Sequence, residues 1–381
     1  MAVYGRDMVR ILVIGGGTGG TATALALHKA GFDVDVHEAH PDSAEDLGAF
    51  LTLASNGMRA LAQIDASDAV TAIGFPLRSM RLLDATGAEV ARGPLGEADD
   101  PLLRFRCLRR GDLNSALQKE ASRRGITVRH GVRLASVEEG PAAVTARFTD
   151  GSSATGDLVI GADGLNSTVR RATAPEVRPV YAAQRVFYGY TRDARPPGEG
   201  EQFTMVRCGG AAFGYAVSPD GETYWFARVT DDPLTAEELA RGGWRDPLVS
   251  LLREDSGPAA DIVAATADDV LVTNATEIPP GTPWRSARTL LVGDAAHAAS
   301  PATGQGASMA LEDAVVLAKC LRDTPDTDSG LALYEALRRP RVEHNTLASG
   351  SLSRGGRGAT VPRPREEDLP RLLDWGTAMS V

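Results

Sequence analysis

The chain has 381 residues, 43% of them hydrophobic and 24% charged, enough for a sizeable core and with no sign of global disorder. Its net charge of −10 and isoelectric point near 5.2 argue against nucleic acid or an anionic membrane as the main partner. Cys107, Cys208 and Cys320 are odd in number and form no CxxC pair, so no disulfide framework or zinc site is expected, and a reducing cytoplasm fits best.

Val9 to Ile14 is a short apolar run, as expected for a strand buried on both faces of a parallel sheet. Ala22 to Ala30 reads as a helix ended by Gly31, and Val34 and Val36 begin a second strand, which completes a βαβ unit. The stretch from Arg10 to Ala30 superficially resembles a secretion signal, but five glycines interrupt it and His28 and Lys29 follow in the same run. No run of about 18 apolar residues exists, so no membrane-spanning helix is expected.

Farther on, Asp112 is placed as the cap of a helix whose Leu113, Leu117 and Ala121 share one face. Ile126 to Arg129, Val132 to Val137, Val144 to Phe148 and Leu158 to Ile160 read as strands. From about Tyr181 the character changes to aromatic-rich strands: Arg185 to Arg192, Gln202 to Arg207, Ala211 to Val217 and Thr223 to Val229. Ser218 to Gly221 is a hairpin-type turn between the last two. Thr289 to Val292 returns to the buried-strand style, and helices follow near Gly306 to Leu321 and Leu331 to His344. The fold expected is α/β: a Rossmann-like nucleotide-binding domain with an inserted antiparallel sheet and C-terminal helices. Residues 1–77, 102–174 and 281–350 would form the first domain, 78–101 and 175–280 the second, and 351–381 an Arg/Pro/Gly-rich tail.

Three segments carry chemistry. In Gly15-Gly16-Gly17-Thr18-Gly19-Gly20 the spacing is G-x-G-x-x-G between strand and helix. Gly15 would permit the tight turn, Gly17 the approach of backbone to a pyrophosphate, and Gly20 close packing of helix on strand. Thr18 and Gly19 open the helix, whose N–H groups and dipole favour phosphate. Glu38 ends the second strand, where a carboxylate bonds ribose hydroxyls and repels a 2′-phosphate, so NADP is disfavoured at this position.

The second segment is Gly161-Ala162-Asp163-Gly164 with Ser167 and Arg170, at the carboxyl end of a strand; Asp-Gly is also simply a turn. The third is Gly293-Asp294-Ala295-Ala296-His297, then Pro301, Gly304-Gln305-Gly306 and Glu312-Asp313-Ala314. Asp294 ends a buried strand, where a charge is costly without polar partners; the hydroxyls of a ribityl chain would serve. Gly304 to Gly306 would aim a helix N-terminus at an electron-rich ring edge.

In this order and spacing the three segments resemble the class A flavoprotein monooxygenases, the p-hydroxybenzoate hydroxylase-like family, from about Val9 to Asn345. The resemblance implies FAD held by Gly15, Gly17, Thr18, Gly19, Gly20 and Glu38, with Asp163, Asp294, Pro301, Gly304 and Gly306 at its other parts. Arg110 looks like the family's R-x-x-L-x-x-x-L helix entry and so carries over as a further FAD contact. It also implies reduction by NAD(P)H, a flavin C4a-hydroperoxide, and transfer of one oxygen to an aromatic or polyketide-like small molecule, by a monomer or homodimer. The segment order is similar to that of bacterial urate hydroxylases, but Gly209-Gly210-Ala211-Ala212 lacks the basic residue those enzymes present to urate. Tyr224 falls where their substrate-contacting tyrosine would lie.

Three residues are candidates for catalysis or substrate contact. His297 lies beside Asp294 and is either an acid–base group or a structural donor. Tyr224 and Arg228 alternate with Phe226 onto one strand face, where packing is the simpler role. A flavin reductase, a halogenase-like enzyme, a Baeyer–Villiger or epoxidising enzyme and a non-catalytic flavin-binding module remain alternatives. A W-x-W-x-I-P halogenase signature is absent; Trp225 stands in Tyr224-Trp225-Phe226-Ala227. An NAD-dependent dehydrogenase would leave Asp294 and Gly304 to Gly306 unexplained.

Overall fold

A computed structural model describes residues 9–43, 48–267, 270–356 and 368–379. At its centre is a five-stranded parallel sheet in the order Thr289–Leu291, Leu158–Gly161, Arg10–Ile14, Asp33–His37, Thr127–Arg129. Ile11, Leu12 and Val13 are fully buried in it, which accounts for the continuous apolar run. Helices Thr18–Lys29, Arg110–Arg123 and Gly306–Asp323 pack together beside this sheet. A three-stranded meander, Leu134–Glu139, Val144–Phe148 and Ser153–Gly156, lies against it, with Phe148 stacked on His37 at 4.8 Å.

The aromatic-rich segments form a seven-stranded sheet in the order Leu271–Glu277, Val180–Thr191, Thr223–Thr230, Ala211–Val217, Gln202–Arg207, Ser79–Leu83, Glu89–Pro94. Its pairing is antiparallel except where Gln202–Arg207 meets Ser79–Leu83. Alternation divides its side chains. Phe213, Trp225, Ala227 and Val229 pack with helices Arg245–Leu252 and Ala259–Ala264, while Phe203, Tyr224 and Phe226 gather with Phe50 and Phe75.

The structure departs from the sequence expectations at several element boundaries. The helix expected from Asp112 begins at Arg110, with Arg109 in the cap position, its side chain making no hydrogen bond to the helix end. The strand expected from Arg185 begins at Val180, because Ala183, at φ +59°, breaks the pairing between Tyr181 and Arg185 and hides the alternation. The last long helix runs Thr327–Ser353 through Pro340, nine residues past His344, its start capped by Asp326 accepting from the Ser329 N–H. Part of the tail lies outside the described residues. The rest docks by burying Leu373 completely and holding Trp375 between Lys29 at 5.0 Å and Arg322 at 4.9 Å.

Candidate functional site

Two of the fingerprint glycines are required by the fold and one is not. Gly15 has φ +108°, and a Cβ there would lie 2.4 Å from the Ala162 carbonyl oxygen; a Cβ on Gly20 would lie 1.9 Å from the Gly15 oxygen. A Cβ on Gly17 would meet no protein atom within 4 Å. The space in front of Gly17 is therefore bounded by the N-terminus of helix Thr18–Lys29 and not by packing. Thr18 Oγ1 donates to Asn114 Oδ1 at 2.8 Å and ties this helix end to helix Arg110–Arg123.

Glu38 folds back on the loop: Oε2 accepts from the Gly16 N–H at 2.5 Å and Oε1 from the His40 N–H at 2.6 Å. Gln118 donates to the Gly16 oxygen at 2.6 Å, and its own Oε1 is buried without a partner. A Cβ on Gly19 and one on Gly293 would each lie 3.2 Å from Ala310 Cβ, so the first and third segments converge on helix Gly306–Asp323. Gly304 closes the preceding turn at φ +66°.

Asp294 is not the buried carboxylate its strand position suggested. It begins a short helix, Asp294–His297, its side chain is 43% exposed, and it faces the half-exposed Arg110 at 3.9 Å. Asp163 is half-buried and fully engaged: it accepts from Ser167 Oγ at 2.5 Å and from the Thr168 and Val169 N–H groups at 2.7 and 3.1 Å. Burial raises its carboxyl above the ordinary range, against those three hydrogen bonds. Arg170 then links this turn to the third segment by donating to the Ala295 and Leu165 carbonyls. Pro301 opens a single 3₁₀ turn before Gly304.

His297 faces away from Asp294 into the core. Its Nε2 lies 2.6 Å from Asp313 Oδ2, its ring packs on Trp284 at 5.4 Å, and it is 8% exposed. Asp313 also accepts from Arg338 Nε at 2.8 Å and from the Gly293 N–H at 3.1 Å. Arg338 Nη1 reaches Glu312 at 2.5 Å, and Arg341 holds Glu312 by two bonds of 2.9 Å. Glu312, Asp313 and Arg338 are fully buried. This network fixes the Gly293 turn and was missed from the sequence. Its signal was Arg338, which shares a helical stripe with the buried Leu331, Tyr334 and Val342.

Tyr224 lies on the aromatic face, 4.9 Å from Tyr190, 5.4 Å from Phe75 and 5.7 Å from Phe50. Phe50, also missed from the sequence, meets Tyr188 at 6.2 Å from a second three-stranded sheet, Phe50–Leu53, Phe105–Arg109 and Phe75–Leu77. Arg109 stacks over Tyr190 at 4.2 Å and pairs with Glu222 at 2.9 Å. Burial pushes the Tyr188, Tyr190 and Tyr224 phenols up, so all three are neutral donors at neutral pH. Arg228 lies 5.5 Å over Phe226, and its Nε is buried without a partner. Among the described residues no group of histidines, cysteines and carboxylates is arranged to hold a metal ion, and no helix is long and apolar enough to cross a membrane.

Gly17, Arg110, Asp294 and Gly304 to Gly306 suit a dinucleotide flavin: they offer open space before Gly17 and Gly306, the N-termini of helices of 12 and 18 residues, the Arg110 cation, a carboxylate at Glu38 and an unpaired acceptor at Gln118. Residues 8–349 match the FAD binding domain family. The chain is 32% identical over 358 residues to an aurachin C monooxygenase/isomerase of Stigmatella aurantiaca, covering 90% of this chain and 87% of that protein. It is 33% identical over 352 residues to an FAD-dependent urate hydroxylase of Klebsiella pneumoniae, covering 89% and 88% respectively. The fold is similar to that of Klebsiella pneumoniae HpxO solved with FAD and uric acid, at TM-score 0.83, 28% identity and coverage of 99% and 95%.

Proposed function

This chain belongs to the FAD binding domain family and is an FAD-dependent oxidoreductase; we propose that it is a single-component monooxygenase of a planar aromatic or polyketide-like small molecule, with NAD(P)H as co-substrate. The observation that carries the substrate class is the aromatic face of Phe50, Tyr188, Tyr190, Tyr224 and Phe226. A largely apolar wall with few polar groups suits a flat ring. Bound FAD supplies the redox and oxygen-transfer chemistry; the chain supplies position, electrostatics and exclusion of water.

In this reading Gly17, Thr18, Gly19 and Arg110 hold the pyrophosphate, and Glu38 exchanges its Gly16 contact for ribose hydroxyls. Asp294, half-exposed beside Arg110, meets the ribityl region. Pro301, Gly304 and Gly306 bound the ring, where the helix N-terminus stabilises negative charge. Asp163 acts through its turn, because its oxygens are already engaged. His297 is assigned a structural role by its bond to Asp313. Residues 1–77, 102–174 and 281–350 form the flavin domain and 78–101 and 175–280 the substrate domain, in a cytoplasmic monomer or homodimer.

A panel of phenolic and polycyclic compounds and urate, followed by NAD(P)H consumption and product mass together, tests the proposal. The expected result is coupled turnover of an aromatic ring with gain of one oxygen atom from O₂. Urate is expected to be poor, because polar groups surround its whole ring and an aromatic face would leave most of them unpaired. Efficient coupled urate turnover, or no oxygenation of any aromatic compound, would overturn it.

A further inference from the structure

Helix Ser55–Gln63 starts against the first turn of helix Gly306–Asp323. Ser308 Oγ accepts the Ala54 N–H at 3.1 Å, and a Cβ on Gly57 would lie 2.7 Å from the same oxygen, so the approach leaves no room for a side chain there. This close contact carries Asn56 to the Gly304 to Gly306 loop. Asn56 Nδ2 donates to Glu312 Oε1 at 2.6 Å and to Gln305 Oε1 at 3.1 Å.

These two contacts fix the direction of two amides. Glu312 is a buried carboxylate kept ionised by Arg338 and Arg341, so it can only accept. Arg338 Nη1 and Arg341 Nε occupy Oε2, and Arg341 Nη2 shares Oε1 with Asn56. Asn56 must therefore turn its NH2 group to the carboxylate. The same NH2 group reaches Gln305, which must answer with its carbonyl oxygen; reversed, the two NH2 groups would face each other. Gln305 Nε2 is left over, and among the described residues it has no hydrogen-bond partner. Nor does Gln305 close its own helix: it holds the N-cap position of Gly306–Asp323 without a side-chain cap hydrogen bond, and a Cβ on Gly306 would meet nothing within 4 Å. The start of that helix is open, with a free amide donor beside it.

We propose that Gln305 is a flavin contact, donating from Nε2 to the oxygen-bearing pyrimidine edge of the ring, and that Asn56 is the positioning residue that dictates this donor. The inference rests on the reading above, in which Gly304 and Gly306 bound the ring. Negative charge develops at that edge when FAD is reduced; a fixed donor stabilises it, whereas an amide turned the other way would present an oxygen and repel it. The direction is set from the core outward: two arginines fix Glu312, Glu312 fixes Asn56, and Asn56 fixes Gln305.

The test uses the FAD-loaded full chain, with the midpoint potential of the bound flavin as readout and the apoprotein's melting temperature as control. Gln305→Leu removes the donor and is expected to weaken binding of reduced relative to oxidised FAD about tenfold, a fall of about 30 mV for a two-electron couple. Gln305→Glu, which puts a negative oxygen in the donor's place, should lower the potential further. Asn56→Ala should reproduce the fall, because the freed amide has no fixed direction. Glu312 keeps its three arginine bonds in that variant, so the chain is expected to fold. Adding Asn56→Ala to Gln305→Leu should lower the potential no further, since both act through one hydrogen bond. A purely structural Asn56 would lower the melting temperature and leave the potential alone. An unchanged potential in Gln305→Leu or Asn56→Ala, a potential raised by Gln305→Glu, or shifts that add in the double variant would overturn the assignment and leave the monooxygenase reading intact. A wild-type chain that binds no FAD would overturn both.

Discussion

His297 and Asp313 share a 2.6 Å contact between Nε2 and Oδ2 in the core behind the Gly293 turn. The same carboxylate accepts the Gly293 N–H, so one buried side chain sets both the histidine's orientation and the backbone from which Asp294 projects. Asp294 and His297, three residues apart, therefore belong to different environments: one is half-exposed beside Arg110 and the other is buried in the core.

Substitution should separate those roles. Asp294→Ala is expected to weaken FAD binding while leaving the apoprotein's denaturation midpoint near wild type, because its side chain is 43% exposed. His297→Ala is expected to cost about 1–3 kcal/mol in urea unfolding by leaving a buried carboxylate short of a partner. FAD affinity unchanged in Asp294→Ala would refute its assignment, and full stability in His297→Ala would refute the other.

The glycine fingerprint should divide in the same manner. Gly20→Ala is expected to fold poorly with or without flavin, since its Cβ would lie 1.9 Å from the Gly15 oxygen. Gly17→Ala, with open space before it, should keep the apoprotein's melting temperature and lose at least about tenfold in FAD affinity. Calorimetry of apoprotein and flavin fluorescence titration give the two readouts; equal effects at both positions would contradict the division.

Arg338 bridges Glu312 and Asp313 with every partner fully buried. Arg338→Met removes the cation and strands two carboxylates, for an expected loss of about 3–5 kcal/mol. Equilibrium denaturation of the apoprotein measures it, and a loss below about 1 kcal/mol would mean that Arg341 and His297 suffice.

Acid should unfold the chain through this cluster. Burial alone would raise Asp313, but His297 and Arg338 hold it far below the usual carboxylate range, and Glu312 is lowered by Arg338 and Arg341 against the same burial. Groups depressed in the folded state contribute stability that is complete above their unfolded values near ~4 and is lost as pH falls toward their folded values. Asp163, raised by burial, works in the opposite direction over its own titration. Stability is expected to fall steeply below about pH 4, and Asp313→Asn, weaker at neutral pH, should show a shallower acid slope. Parallel pH profiles in wild type and variant would exclude Asp313 as a source of the acid sensitivity.

Much of this molecule is written locally. Apolar runs and glycine spacing place the βαβ unit, because Ile11 to Val13 and the Gly15 turn depend on neighbours a few residues away. Strand boundaries at Gln202–Arg207 and Ala211–Val217 follow from alternation and turn residues for the same reason. What the sequence leaves undetermined is partnership over long separation. Nothing near Arg338 indicates that it neutralises Glu312 and Asp313, and nothing near Arg109 indicates Glu222. Electrostatic energy depends on distance and burial, which exist only once the helices and both sheets have packed. Tertiary structure therefore decided that Asp294 is half-exposed beside Arg110 while Asp163 is engaged in its own turn. It also decided that Arg228 lies over Phe226, with an Nε that has no partner among the described residues.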